Sequence, residues 1–356
     1  MAATNVNERH LELWPEGEVD ARRGYSRDCV SMARAARDGT AVVRLWTRPE
    51  AAIALGRFQR RPLDAPSNLE RRLTGGRYVA LGPQVLGLTM ILPSVAWLAT
   101  GGPALRPDQV LNRALRPLLA TLRDQGVDAF YPGRDLITAG EQPFAHASFT
   151  ILGDGVVIVE AHLDVGGAWR EAGQLLAELD PEGVAGADLE FWANSVGAAE
   201  LSSTLPALPA LPAAIEVEAW APLLARSLAE EASCDVDVQQ GGSADSGAAL
   251  VASDEAWGAF LAERGPVPEG AVCAVSMAML GVVEASAMLD GDRLRDLCVA
   301  GELIAPHHTL DDLAAALEGV AHRGPYIRRA LVQVLGRPRS FVLGISDLDA
   351  LLERLA

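Results

Sequence analysis

Strand-like and helical runs follow one another along this chain without regular β-α-β alternation, and that order constrains the fold more than any other feature. A doubly wound parallel sheet needs the alternation. Its absence predicts an α+β architecture, with a mixed, largely antiparallel sheet flanked by helices. AVVRLWT (41–47), AAIALG (51–56) and VLGLTMILP (85–93) read as strands. ASFTILGDGVVIVEAHLDV (147–165) reads as a hairpin turned at Gly153-Asp154-Gly155. Helical spacing marks GYSRDCVSMARAAR (24–37) and IEVEAWAPLLARSLAEEA (215–232). It also predicts one helix over 106–126, with Pro107 in its first turn and Gly126 past its end.

Two further segments divide the chain. LPALPALPA (205–213) reads as a stiff proline loop, and GGSADSGAA (241–249) is the most linker-like stretch. Beyond it, VCAVSMAMLGVVEASAMLDG (272–291) reads as two strands, and LDDLAAALEGV (310–320) and PYIRRALVQVL (325–335) read as helices. The expected organisation is a larger domain over 1–245 and a smaller α+β unit over 250–356.

The 356 residues, 49% hydrophobic and 22% charged, are those of a globular chain. A formal charge of -17 repels polyanions, so neither nucleic acid nor an anionic membrane is an expected partner. With no signal-like leader and no apolar run near ~20 residues, the expected location is the cytoplasm. Cys29, Cys234, Cys273 and Cys298 are scattered, without a C-x-x-C pair, and read as buried free thiols. His307 and His308 lack a ligand partner at metal spacing and read as an exposed turn pair, so no metal site is expected. All 30 basic residues counted as Lys+Arg are arginine. Dinucleotide, P-loop and nucleophile-elbow glycine motifs are absent.

The stretch RRLTGGRYVALGP (71–83) raises a specific question. Gly75 and Gly76 let the backbone turn and let amides approach a ligand, while Arg71 and Arg72 offer forked donors to a carboxylate or phosphate. The same letters also suit a charged turn ahead of a strand.

Three segments in order, LWTRPEAAIALGRFQ (45–59), RRLTGGRYV (71–79) and GRDLITAGEQPFAHASFTILGDGVVIVEAHLDV (133–165), resemble the catalytic domain of lipoate–protein ligases and the related octanoyltransferases. Residues 272–356 are similar to the accessory domain of ligases in that family. The resemblance implies a biotin/lipoate ligase-like fold and a ligand that is lipoate, octanoate or the acyl-AMP. It further implies a lipoyl-domain protein as partner, and leaves the use of ATP and Mg²⁺ open. It places Gly56, Arg57, Phe58, Gln59, Arg71, Arg72, Thr74, Gly75, Gly76, Arg77 and Asp135 around the ligand, with Phe58 as an apolar wall.

The family's working group is a lysine in a segment of the form G-R-K-I-x-G-x-A. Here that segment is Gly140-Glu141-Gln142-Pro143-Phe144-Ala145-His146-Ala147, so Gln142 stands at the lysine position. Glutamine carries no charge to neutralise a carboxylate and phosphate brought together, and Pro143 removes a backbone donor. Leu81 and Asp154 stand where the family commonly has histidines, and no cysteine follows HLDV where one branch keeps its acyl carrier. His146 is the one group in the altered segment that titrates near neutrality, as a base or as a partner to the arginines. Two readings follow from the resemblance. One is a non-enzymatic relative that binds an acyl group, its adenylate or a lipoyl domain. The other is a divergent ligase or transferase using arginines in place of the lysine. An unrelated α+β protein is the third.

Overall fold

An eight-stranded mixed sheet organises the larger part of the molecule. The computed structural model describes residues 9–61, 68–99, 105–133, 135–139, 142–165, 216–239, 260 and 267–355. The proline loop at 205–213 and the linker-like stretch at 241–249 lie outside them. In chain order the strands are β1 (His10–Glu18), β2 (Ala41–Thr47), β3 (Ala52–Leu55), β4 (Leu69–Arg71), β5 (Val79–Leu81), β6 (Val85–Leu92), β7 (Ala129–Phe130), β8 (Leu136–Ala139), β9 (Gln142–Ile151), β10 (Val157–Asp164) and β11 (Asp235–Val238). The large sheet has the order β11-β1-β2-β6-β10-β9-β8-β7. Strand β1 runs parallel to β2 and β11, and the other pairings are antiparallel. This is the mixed sheet that the missing β-α-β alternation predicts. Strands β4, β3 and β5 form a separate small sheet, and the RR-x-TGGR loop connects β4 to β5.

Helix α1 (Ala21–Asp38) covers one face of the large sheet. Asp20 caps it by accepting from the Arg23 amide at 2.9 Å, and Gly39 ends it in the left-handed region at φ 71°. The other face is covered by α2 (Val110–Ala114), α3 (Arg116–Asp124) and α4 (Val217–Ala232). The single helix expected over 106–126 is therefore a 3-10 turn and two helices. Pro117 in the first turn of α3 is the reason, because its ring and missing N–H end the preceding ladder.

A three-stranded antiparallel sheet of β12 (Val272–Met277), β13 (Val282–Asp290) and β14 (Arg293–Gly301) carries a second core with α5 (Thr309–Leu317), α6 (Gly324–Leu335) and α7 (Leu348–Glu353). The turn after Asp290 adds β14 to the two strands expected there. The two cores exchange side chains. Phe58 is buried in the C-terminal core, whereas Leu280, Ile304 and Phe341 are buried in the core of the larger sheet. Phe341 stacks on Phe149 with ring centroids 5.6 Å apart. Burying a large apolar side chain stabilises by about 1.5–3 kcal/mol, so these residues lock the units together.

The four cysteines are free, but Cys273 is exposed and the others are only part-buried, which corrects the expectation of buried thiols. Among the described residues no helix is long and apolar enough to cross a membrane, and no His/Cys/Asp/Glu group could hold a metal ion.

Candidate functional site

Alternation along the strands brings polar side chains onto the sheet face beneath α1 and the glycine loop. Register aligns Arg44, Thr89, Glu160 and Ser148 across β2, β6, β10 and β9. The next row is Trp46, Gly87, His162 and His146. A Cβ at Gly87 would collide with the Trp46 indole, so the glycine lets the ring lie flat while its Nε1 donates to Thr89 Oγ1 at 3.0 Å. Opposite faces of the same strands carry Val43, Leu45, Leu88, Phe149, Val159 and Ala161 into the apolar core.

The glycine loop lies on this polar face, and its arginines donate to groups of the protein itself, although Arg72 Nε has no hydrogen-bond partner among the described residues. Arg71 Nη1 donates to the carbonyls of Gly56 at 3.2 Å, Arg57 at 2.6 Å and Gln59 at 2.8 Å. Arg72 donates to His146 Nδ1 at 3.0 Å, Ser148 Oγ at 3.3 Å, and the carbonyls of Gly75 at 3.2 Å and Arg77 at 2.5 Å. Arg77 makes a two-point pair with the buried Asp135. Thr74 contacts Ser148 and Glu160 through Oγ1, and its amide donates to Glu160 at 3.2 Å. Gln59 closes the GRFQ turn: its Oε1 accepts from the Gly56 amide at 2.7 Å. A Cβ on Gly56 would strike the Gly76 carbonyl, which is the close approach that the glycine permits.

The outer side of the loop meets the C-terminal unit. The Gly76 amide donates to the Leu303 carbonyl at 2.8 Å, and that oxygen fills the place a Cβ on Gly75 would need. Phe58 is not an open pocket wall: its ring is in the C-terminal core and its carbonyl accepts from the Gly301 amide at 2.8 Å. Arg57 Nη2 lies 2.5 Å from His307 Nε2, so His307 is an interface residue, not half of an exposed turn pair. Arg60 reaches across to Glu284 and to Ser286 Oγ, the latter at 2.7 Å.

Beside Arg71 and Arg72 lies a cavity of about 30 Å³. It is lined by Tyr25, Asp28, Arg44, Trp46, Arg48, Glu70, Leu81, Glu160 and His162 among others. Arg44 is wholly buried and pairs with Glu16 at 2.7 Å and with Asp28, while Arg48 pairs with Glu70 at 3.0 Å. Burial, reinforced by nearby guanidinium groups, holds the imidazoles of His146 and His162 well below their ordinary pKa, so both are neutral. His146 accepts from Arg72 on Nδ1, which leaves its proton on Nε2, 3.8 Å from Asp135 Oδ2. Neither ring nitrogen of His162 has a hydrogen-bond partner among the described residues. Burial also lowers Arg72 to about 10.

Gln142 opens β9 opposite Ala139, four positions before His146. Asp154 sits in the β9–β10 turn, where its Oδ1 accepts from the Val156 amide. The structure thus brings Arg72, Thr74, Arg77, Asp135 and His146 into one buried network, with Gly56, Gln59 and Arg71 around its edge. Arg44, Glu160 and His162 belong to the same polar face and were not singled out from the sequence. Their signal was present: polar residues at alternate positions of otherwise apolar strands, in VVRLWT and VEAHLDV.

No family model matches the sequence, and no curated protein matches it. Solved structures do match its fold. Over 90% of this chain and 93% of the other, the fold is similar to LipL1 of P. falciparum, crystallised in complex with lipoate (TM-score 0.59, 11% identity). A bi-partite lipoate protein ligase from Thermoplasma acidophilum, studied with its E2 lipoyl domain, aligns over 74% of this chain and 99% of its own (TM-score 0.50, 15% identity). The chain has the biotin/lipoate protein ligase-like fold, the architecture that the three sequence segments imply.

Proposed function

We propose that this protein serves the modification of proteins with a lipoyl or related acyl group, as a ligase-fold protein that binds an acyl group, its adenylate or a lipoyl domain without forming the adenylate. One observation carries the reading: Arg71 Nη1, both Nη groups of Arg72, Arg77 Nε and the Gly76 amide donate to the protein's own oxygens and to His146. Activating a carboxylate with ATP brings two anions together, and the barrier falls when a preorganised cation bridges them. Withdrawing an arginine from its partners costs about 1.5–3 kcal/mol for each hydrogen bond to a charged group. The chain contains no lysine to take its place, and the neutral, buried His146 supplies no positive charge. Losing one preorganised donor lowers rates on the order of a hundred- to a thousand-fold. The fold neighbours support the acyl assignment, since one was crystallised with lipoate and the other studied with its lipoyl domain.

The test is lipoate- or octanoate-dependent pyrophosphate release from ATP, alongside calorimetric titration with preformed lipoyl-AMP. The expected result is no release above the blank, with lipoyl-AMP bound more tightly than AMP. Robust release would overturn the reading in favour of catalysis by the arginines or His146. Gln142→Lys with Pro143→Ile is expected to recover part of the release.

A further inference from the structure

We infer that the hollow between the 3-10 turn Val95–Leu98 and helices α2, α3 and α4 is a binding site for a small carboxylate with a short apolar tail. It lies on the apolar face of the large sheet, away from the glycine loop, so the inference does not depend on the acyl reading. Leu11 of β1, Met90 and Leu92 of β6 and Leu228 of α4 line it, and all four are buried in the core of that sheet. The cavity of about 40 Å³ has room for about three water-sized groups. Its apolar floor offers water no partners and suits a tail of about three carbons.

The rim supplies the charge. Arg113 in α2 and Arg116 at the start of α3 stand three positions apart and line the same cavity. Among the described residues neither guanidinium makes a hydrogen bond or an ion pair, although Arg113 is half-buried. Like charges at this helical spacing repel each other, and an anion between them removes the repulsion. Glu231 is the one acid of the described lining and pairs with neither arginine. The rim therefore keeps a net positive charge on a chain whose formal charge is -17. Trp97 forms the remaining wall. Arg9 fixes it, with its guanidinium 5.6 Å from the ring centroid and donating to the Trp97 and Ala96 carbonyls at 3.3 and 3.2 Å. Trp97 Nε1 has no partner among the described residues and is a third donor at the rim. Forked guanidiniums match a planar carboxylate. Inorganic phosphate would bring charge but nothing to fill the apolar floor, so the occupant is a carboxylate with a tail.

The test is a titration of the ¹⁵N-labelled full chain, read at the Trp97 indole N–H, whose signal is assigned by its loss in Trp97→Phe. The probes are butyrate, butan-1-ol and inorganic phosphate. Butyrate is expected to move the Trp97 signal saturably, with butan-1-ol and phosphate each at least about ten-fold weaker. Arg113→Gln with Arg116→Gln changes only rim side chains, and is expected to weaken butyrate about ten-fold without lowering the melting temperature. Trp46, on the polar face of the sheet, is the internal control and should not move. A Trp97 signal that butyrate leaves in place overturns the inference, as does equal affinity in the arginine variant. Butan-1-ol binding as well as butyrate would reduce the hollow to an apolar hole, and phosphate doing so would reduce the rim to an adventitious anion site; each overturns it. A shift at Trp46 alone would put the carboxylate on the polar face and overturn this site while leaving the acyl reading standing.

Discussion

Arg77 and Asp135 form a buried two-point ion pair, with Nε 2.5 Å from Oδ2 and Nη2 3.1 Å from Oδ1. The pair ties the end of the glycine loop to the start of β8, and Asp135 has no exposure to solvent. Breaking one side of such a pair leaves an uncompensated buried charge. Arg77→Leu and Asp135→Leu are each expected to cost about 3–5 kcal/mol in urea unfolding. The double substitution should cost less than the sum of the two. Additive losses would show that the pair carries no coupling.

Arg72 supplies a fixed fork to four acceptors, two of them carbonyls of its own loop. Lysine would keep the charge and lose the fork, so Arg72→Lys is expected to destabilise by about 2 kcal/mol through unmatched buried carbonyls. Thermal unfolding within about 0.5 kcal/mol of the unmodified chain would show those bonds to be dispensable.

Gly75→Ala places a methyl group where the Leu303 carbonyl stands, and backbone can yield only by moving the two units apart. The expected loss is about 1–3 kcal/mol, as for overpacking. Gly82→Ala is the control. Its Cβ would meet only the Ala51 Cα at 3.6 Å, so stability should stay within about 0.5 kcal/mol. Equal behaviour of the two variants would contradict close packing at Leu303.

His162 gives a pH dependence of defined sign. Burial, then Arg72 and Arg48, holds its imidazole well below the ordinary value of 6.5. On acidification the unfolded chain takes up a proton near that value which the native ring refuses. The unfolded state therefore binds more protons, and stability falls as pH drops below about 6.5. His162→Asn removes this contribution. Its stability between about pH 5 and 6 should change less steeply than that of the unmodified chain, by about 1.4 kcal/mol per pH unit. Parallel slopes would mean that His162 is protonated in the native protein.

The sequence by itself determined the class of fold and the position of the loop. Missing β-α-β alternation meant a mixed sheet, the glycine-turned hairpin became β9 and β10, and RRLTGGR became the link from β4 to β5. These properties are local, since strand periodicity and glycine turns depend on neighbours within a few residues. The absence of lysine was also plain from the letters. Only the tertiary structure decided what the arginines do. A guanidinium takes its partners from wherever the fold brings oxygens. Arg77 meets Asp135 from 58 positions away, Arg72 meets His146 from 74, and Arg57 meets His307 from 250. The pattern RR-x-TGGR reads identically whether its donors face a ligand or the protein. The Leu303 carbonyl on Gly76 belongs to a unit whose docking no periodicity encodes, because it depends on how Phe58, Ile304 and Phe341 interlock across the two cores.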